Sequence, residues 1–362
     1  MRVLLVSPLP PPAGGIATWT QKYIKYFEEN GLSCAVVNTA VIGARKAEIN
    51  HKKNYLDEVR RAFSICSKTK NEIKKYAPNI AHINSSCTKM GVFRDYAVIS
   101  LLKRNLIPVV LHCHCNIEDQ LNGRIPRFLF SRMVKSSNVV LVLNDQSRQY
   151  IESIALGKAI MLPNFIEPDR LSADRVINEA ITTILFVGHI WRPKGVLEIF
   201  EAARQMPNIT FSLVGPVRDD MKEVNTPSNV RLMGEQDTEV VKKCLSEADV
   251  FLFPSYTEGF SNALAEAMAA GLPVIATPVG ANVDMLEGKG GLIVPAGDAS
   301  SIVSALKRMT EKRIRQEMSE WNVQKVKDHY LIDRVMNRLL SIYSEVLNER
   351  IQVSDYGGRM YS

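Results

Sequence analysis

Two glutamates eight positions apart, Glu258 and Glu266, lie on either side of a predicted helix start. An apolar strand stops at Pro254, a glycine-containing turn follows, and a helical pattern continues to Gly271. The first N–H groups of a helix have no partner inside it, so they favour an anion. The stretch therefore predicts a polar site of two carboxylates beside an anion-binding helix end.

The position of each carboxylate indicates what it would bind. Glu258, just outside the helix, can accept hydrogen bonds from a sugar. Glu266, one to two turns inside, can hold the two vicinal hydroxyls of a ribose. The alternative is that both carboxylates only complement the positive end of the helix dipole. The amides expected to meet phosphate oxygens are those of Phe260, Ser261, Asn262 and Ala263.

Two cations follow another apolar strand, at 184–187. Arg192 and Lys194 lie on the loop before the next helix. Lys would neutralise a pyrophosphate as a point charge and Arg through paired hydrogen bonds; an ordinary basic loop is the alternative. Gly215 lies in a later strand-end turn of the kind that leaves room for a base or ribose.

The first strand of the chain ends in a proline run and the sequence Gly14-Gly15-Ile16. Glycines at a helix start let the backbone approach a phosphate, but the spacing is neither the dinucleotide fingerprint nor the P-loop. A plain turn is the alternative. Further on, His114 follows a strand and can donate a hydrogen bond to a substrate hydroxyl, unless it is a core histidine.

Cysteine and histidine spacing argues against a metal site. His112 and His114 alternate with two cysteines, so in an extended chain the two residue types face opposite sides. The six cysteines have no CxxC spacing, which predicts no disulfide or zinc framework and fits a reducing compartment.

Twelve short apolar runs alternate with helical patterns, as expected for buried parallel strands joined by crossover helices. At 362 residues the chain predicts two domains. We expect a Rossmann-like domain at 1–167, a linker at 168–182, a second such domain at 183–326, and a last helix and tail at 327–362. The strand runs are Val3–Val6, Cys34–Val37, Ile80–Ile83, Pro108–Leu111, Val139–Leu143, Ala159–Leu162, Ile184–Val187, Thr210–Val214, Val230–Met233, Val250–Phe253, Pro273–Ala276 and Leu292–Val294.

Positive charge is concentrated in the first half. Residues 1–170 hold 24 basic and 13 acidic residues, and residues 171–362 hold 21 and 25. The basic residues crowd between Arg45 and Lys75, which indicates either a solvated helix face or attraction to an anionic membrane surface. Nucleic acid is not expected, because no aromatic residues are interleaved with the basic ones. With no membrane-spanning run and no signal-like N-terminus, we expect a cytoplasmic protein, peripheral on the inner face of the membrane if the charge serves that purpose.

The run from Glu258 to Thr277 resembles the Glu-x7-Glu signature, and the strand after it, of the retaining glycosyltransferases of family 4. Lys194-Gly195 is similar to that family's phosphate-binding lysine loop, Gly14-Gly15 to its glycine loop, and His114 to its cleft histidine. The resemblance covers essentially the whole chain and is strongest from about 183 to 296. It implies an α/β fold of GT-B architecture, with two facing Rossmann-like domains and a last helix that crosses back to the first.

The resemblance also implies roles for the site residues. The first domain would bind the acceptor and the second a nucleoside diphosphate sugar. Uridine is the family's commonest base, and guanosine is the alternative. The family commonly has an arginine where this chain has His189, and Arg192 is the candidate to supply that charge. Catalytic roles fall to His114, Arg192, Lys194 and Glu258. Donor binding falls to Gly14, Gly15, Ile16, His189, Gly215, Gly259, Phe260, Ser261, Asn262, Ala263 and Glu266.

The predicted reaction is transfer of a sugar to a hydroxyl acceptor with retention, by same-face attack and with the leaving phosphate taking the acceptor proton. No cofactor or metal is expected, because the sequence has no Asp-x-Asp motif and Asp219-Asp220 is predicted to be a solvated helix start. The acceptor class we expect is a glycan or a lipid-linked oligosaccharide in cell-surface polysaccharide synthesis. Two alternatives remain: a non-catalytic subunit that binds nucleotide or a partner, and a phosphorylase or nucleotide-sugar isomerase.

Overall fold

The computed structural model describes residues 1–11, 14–40, 55–172 and 175–357. The chain divides into two compact units. The first unit joins Met1–Leu162 to Asn337–Ser362, and the second is Pro163–Met336. Among the described residues, no helix has both the length and the apolar character that are needed to cross a membrane.

The first unit is built on a six-stranded parallel sheet in the order β2-β1-β3-β4-β5-β6. Its central strands are buried on both faces and mostly apolar, as parallel strands covered by helices must be. The buried polar exceptions on the two middle strands are His82, Asn84, Ser85 and His112. The strand order reverses between β1 and β3, which puts the ends of these two strands at the switch point where such sheets bind ligands. The elements are β1 (Arg2–Ser7), α1 (Gly15–Glu29), β2 (Ser33–Asn38), α2 (Tyr55–Tyr76), β3 (Ile80–Ser85), α3 (Lys89–Arg104), β4 (Val109–Cys113), α4 (Ile117–Gln120), α5 (Arg124–Ser136), β5 (Val139–Val142), α6 (Asp145–Ile154) and β6 (Ala159–Met161).

The second unit repeats the plan with the order β12-β11-β10-β7-β8-β9. Here the order reverses between β7 and β10, so the loops after these two strands meet at the second switch point. The elements are β7 (Thr183–Val187), α7 (Val196–Gln205), β8 (Thr210–Val214), β9 (Val230–Gly234), α8 (Thr238–Glu247), β10 (Val250–Phe253), α9 (Asn262–Ala269), β11 (Val274–Ala276), α10 (Asn282–Leu286), β12 (Gly291–Ile293), α11 (Ala299–Arg308) and α12 (Lys312–His329).

The last helix, α13 (Ile332–Gly357), begins in the second unit and packs its later turns in the first. Its apolar stripe is buried at Leu339, Ile342 and Val346. Tyr343 on the same stripe is fully buried, and its hydroxyl lies 3.2 Å from that of Tyr23. The predicted return of the last helix to the first domain is therefore confirmed, and so is the predicted pair of Rossmann-like parallel sheets.

Candidate functional site

A lysine–glutamate ion pair joins the loops after β7 and β10. Lys194 Nζ lies 2.5 Å from Glu258 Oε1, and the two side chains are only 22% and 11% exposed. The ammonium also lies 5.6 Å from the centre of the Phe253 ring. A cation held in a partly dehydrated setting interacts more strongly with a bound anion than a solvated one does. Two residues 64 positions apart are thus brought together at the carboxyl edge of the sheet.

Local sequence explains how the lysine is placed. Residues Arg192–Lys194 form one turn of 3-10 helix with Pro193 in its first positions. Gly195 then adopts a left-handed conformation with φ of 72°, and an added β-carbon there would lie 2.9 Å from Pro254 Cγ and closer still to the Pro254 carbonyl oxygen. The Tyr256 N–H donates to the Pro193 carbonyl at 3.0 Å. Only glycine allows the two loops to pack this closely.

Helix α9 begins where the sequence predicted an anion-binding helix end. Ser261 is the N-cap, and its Oγ accepts the Leu264 N–H at 3.2 Å. The amides of Asn262 and Ala263 donate to no acceptor in the described part of the chain, as expected at a helix start. Glu266, the fifth residue of the helix, is half-buried.

A residue that sequence reasoning missed holds this loop in place. Gly280, after β11, has φ of 54°, and an added β-carbon there would lie 2.7 Å from the Gly259 carbonyl oxygen and closer still to that of Glu258. The next amide, of Ala281, donates to the Gly259 carbonyl at 3.0 Å. The turn after β11 therefore fixes the position of the Glu258–Gly259 backbone. The sequence feature that could have indicated this role is a glycine that follows an apolar strand.

The loop after β8 lies against His189 and Arg192. The Arg218 N–H donates to the Ile190 carbonyl at 3.0 Å, and Asp220 Oδ2 accepts the Arg192 N–H at 3.0 Å. Desolvation and the positive charges of Arg218 and Lys194 lower the pKa of His189, which is consequently neutral at pH 7.

Two sequence predictions are refined by this loop. Asp219 and Asp220 are exposed and begin a 3-10 turn, as predicted for a solvated helix start. Asp220 nevertheless contacts the Arg192 loop, although the two are far apart in sequence. Gly215 neighbours the same loop, because the Gly188 N–H donates to the Val214 carbonyl at 2.9 Å. Arg218, not considered from the sequence, is a second candidate cation beside Arg192.

In the first unit, the predicted glycine turn lines a cavity of about 360 Å³. The cavity lies at the carboxyl ends of the strands around the first switch point, and α1 begins at its wall. Its walls include Gly14, Gly15, Ile16, Asn84, Arg61 and Arg94.

His114 is held by Asn84, a buried residue that sequence reasoning missed. The Asn84 Nδ2 donates to Ser7 Oγ at 2.9 Å, so its Oδ1 faces two imidazoles. That oxygen lies 2.8 Å from His114 Nε2 and 3.0 Å from His82 Nε2. Both nitrogens must donate, since an amide oxygen only accepts. The polar run Asn84-Ser85-Ser86, which follows the apolar residues Ile80–Ile83, was the sequence feature that could have indicated this role.

These hydrogen bonds change the predicted role of His114. Burial, with a smaller effect of His82, lowers the pKa of His114 to about 3, so the ring is neutral. With its one N–H donated to Asn84, the ring presents Nδ1 as an acceptor. In this arrangement the ring can accept a hydrogen bond from a substrate hydroxyl, whereas the sequence predicted that it would donate one.

The same network extends to the last helix. His82 is fully buried, and burial lowers its pKa to about 3. Because its Nε2 donates to Asn84, its Nδ1 accepts from the Tyr343 hydroxyl at 2.5 Å. Tyr343 in turn accepts from Tyr23. The chain of hydrogen bonds thus ties α13 and α1 to the neutral His114.

The predicted face-sharing of His112 and His114 is observed, with ring centres 3.9 Å apart. His112 is fully buried, its two ring nitrogens have no partner in the described part of the chain, and burial lowers its pKa. The six cysteines are free thiols. No group of three metal-ligating side chains occurs among the described residues.

Two tandem parallel-sheet units whose last helix returns to the first define the class: this is a GT-B glycosyltransferase fold. Residues 181–312 match the family model described as "Glycosyl transferases group 1". The matched segment contains the lysine loop and the Glu258–Glu266 pair. The resemblance to glycosyltransferases that was predicted from those residues is confirmed for this segment.

The chain is similar to named proteins over most of its length. The chain is 23% identical over 360 residues to the sulfoquinovosyl transferase SQD2 of Arabidopsis thaliana, covering 87% of this chain and 68% of that protein. It is 21% identical over 344 residues to the Escherichia coli UDP-Gal:alpha-D-GlcNAc-diphosphoundecaprenol alpha-1,3-galactosyltransferase, covering 81% and 86%. Its fold is similar to that of sucrose-phosphate synthase from Thermosynechococcus elongatus, with a TM-score of 0.78, 18% identity, and coverage of 96% and 99%.

Proposed function

We propose that the protein transfers a sugar from a UDP-sugar to a hydroxyl of a lipid-linked glycan, with retention at the anomeric carbon and without a metal. The observation that carries this proposal is the Lys194–Glu258 pair, 2.5 Å apart, together with the start of α9, where the Asn262 and Ala263 amides have no acceptor in the described part of the chain. A partly dehydrated cation and a helix N-terminus on one sheet edge suit a diphosphate leaving group.

Each side chain has a defined task in this reaction. Lys194 and the α9 amides stabilise the charge that develops on the departing diphosphate, which is electrostatic catalysis. Glu258 orients the donor sugar while paired with Lys194, and Glu266 holds the ribose hydroxyls. His114 accepts a hydrogen bond from a sugar hydroxyl through Nδ1. The acceptor attacks on the face that the diphosphate leaves, and the leaving phosphate takes the acceptor proton.

Arg218 supplies the positive charge that the neutral His189 lacks. Its backbone is anchored to the Ile190 carbonyl, and its charge is close enough to His189 to lower that pKa. Arg192, the residue expected from sequence, is exposed, and its guanidinium forms no ion pair with the described residues. We therefore assign the diphosphate contact to Arg218 before Arg192.

A lipid-linked acceptor is supported by two observations. One relative is named for a diphosphoundecaprenol-linked acceptor and a UDP-Gal donor. In the first unit, exposed basic side chains line α2 at Arg60, Lys68, Lys70 and Lys74, whereas Arg45, Lys46, Lys52 and Lys53 lie outside the described residues. Association with vesicles should therefore require anionic lipid and fall with salt; equal binding to neutral vesicles would contradict this.

The test is incubation of the purified chain with a panel of nucleotide sugars and a lipid-linked acceptor, with proton NMR of the product. We expect release of UDP and an anomeric configuration equal to that of the donor. Lys243→Met, at a 72% exposed lysine on α8, is the control for surface charge. An inverted product would contradict retention. Tight UDP binding without turnover of any donor would instead favour the non-catalytic subunit.

A further inference from the structure

Two cavities in the first unit share one residue, Arg94. The first is the polar cavity of about 360 Å³ at the carboxyl ends of the strands. The second is a groove of about 450 Å³ between α2 and α3. Both volumes lie within the range of roughly 300–1,000 Å³ that is typical of ligand pockets. Arg94 lines both cavities, so it lies at the boundary between the polar cavity and the groove.

The Arg94 guanidinium is a nearly buried cation with donors to spare. Its side chain is 12% exposed, and its Nε donates to Asp95 Oδ1 at 2.7 Å. Its two Nη nitrogens donate to no acceptor in the described part of the chain. Arg61, on the wall of the polar cavity, has more of its donors occupied. It pairs with Glu58 at 3.0 Å and donates to the Thr39 carbonyl.

The groove beyond Arg94 is apolar and open. Phe63 on α2 is 74% exposed and Phe93 on α3 is 39% exposed, although both are large hydrophobic side chains. Patches of this kind on a monomer mark binding sites for apolar partners. The apolar part of the wall is formed by Val59, Ala62, Phe63, Met90, Phe93 and Ala97, and the charged residues Glu58, Lys89 and Arg94 also line the groove.

We propose that this pair of cavities binds the phosphate and the first part of the hydrocarbon chain of an isoprenyl-phosphate acceptor, with the phosphate on Arg94 and the chain in the groove. The inference rests on the proposed function and gives the lipid-linked acceptor its binding residues. An apolar groove that ends at a cation matches an amphiphile whose charge is at one end of a single chain.

The test is calorimetric titration of the full chain with monomeric farnesyl phosphate, with farnesol and with inorganic phosphate. We expect farnesyl phosphate to bind at least tenfold more tightly than either fragment. Phe63→Ser should weaken farnesyl phosphate about tenfold, the equivalent of losing most of one buried aromatic side chain, and leave phosphate binding unchanged. Arg94→Gln should weaken farnesyl phosphate and phosphate but not farnesol.

Phe128→Ser is the matched control, because Phe128 on α5 is 64% exposed and lines neither cavity. It should bind farnesyl phosphate as the wild type does. Equal affinity for farnesol, an unchanged affinity in Phe63→Ser and Arg94→Gln, or binding only to vesicles would overturn the inference. UDP affinity, measured on the same samples, separates the two claims: UDP binding without farnesyl phosphate binding refutes only the acceptor site, and absence of UDP binding refutes the proposed function.

Discussion

Adding one methyl group at Gly280 should damage the proposed donor site by displacing the backbone of Glu258 and Gly259. Gly280 has φ of 54°, and its position allows no β-carbon, because that atom would lie 2.7 Å from the Gly259 carbonyl oxygen. Ordinary contact begins at 3.4 Å, so the Glu258–Gly259 backbone must move by at least 0.7 Å. A displacement near 1 Å can lower turnover by roughly 100-fold.

The effect of the clash at Gly280 can be separated from the effect of backbone strain by comparison with Gly288. Gly288 also has a left-handed φ, of 68°, but nothing lies within 4 Å of an added β-carbon there. Gly288→Ala should therefore cost only the left-handed penalty of about 1–2 kcal/mol. Gly280→Ala should cost that amount and a further ~1–3 kcal/mol for overpacking.

Urea denaturation and steady-state kinetics with the preferred donor would measure both effects. We expect Gly280→Ala to be the less stable variant by about 1–3 kcal/mol and the slower by about 100-fold, with Gly288→Ala close to wild type in turnover. Equal stability and equal turnover in the two variants would refute the reasoning that Gly280 sets the position of the Glu258 loop.

Three further predictions concern the cations and the buried network. Arg218→Gln should lower turnover at least tenfold and Arg192→Gln much less, as single-turnover rates would show; the reverse order would return the diphosphate contact to Arg192. Tyr343→Phe should lower the free energy of unfolding by about 1–3 kcal/mol in urea, because it leaves the buried His82 and Tyr23 without a partner. His82 has a folded-state pKa of about 3, below its unfolded value, so its contribution to stability is complete above about pH 6.5 and is lost as the pH falls. Between pH 7 and pH 5 that loss is about 2 kcal/mol, and denaturation of His82→Gln should show a pH dependence smaller by this amount, whereas an unchanged dependence would place the titrating group elsewhere.

The strands of both sheets were predictable, since a strand buried on both faces is a continuous apolar run that ends where polar residues begin. Val250–Phe253 is an example: the run and the observed β10 coincide. Helix and strand ends were less well defined. The last helix runs from Ile332 to Gly357, whereas the sequence placed only a last helix and tail at 327–362.

The candidate site was predictable where one stretch of sequence carries it. The Glu258–Glu266 stretch, with Ser261 as the cap, needed only the spacing of residues along one turn and helix. The pairing of Lys194 with Glu258 required β7 and β10 to be neighbours, which their order in the chain does not reveal. Arg218 was not predicted because its loop follows β8, and the sequence does not show that this loop lies beside the one after β7.

The role of His114 depended on hydrogen bonds between distant residues. Its spacing placed it correctly after β4, but the direction of its hydrogen bond is set by Asn84 on β3 and, through Asn84, by Ser7 on β1. The Arg94 site likewise arises only when α2 and α3 pack side by side. Neither juxtaposition follows from local sequence.

The most direct test of the central claim is a comparison of kcat and donor KM in Lys194→Ala and Glu266→Ala. If Lys194 stabilises the departing diphosphate, its removal should lower kcat by about 100-fold or more while KM changes little. If Glu266 holds the ribose, its removal should mainly raise KM. Wild-type kinetics in both variants would contradict the account.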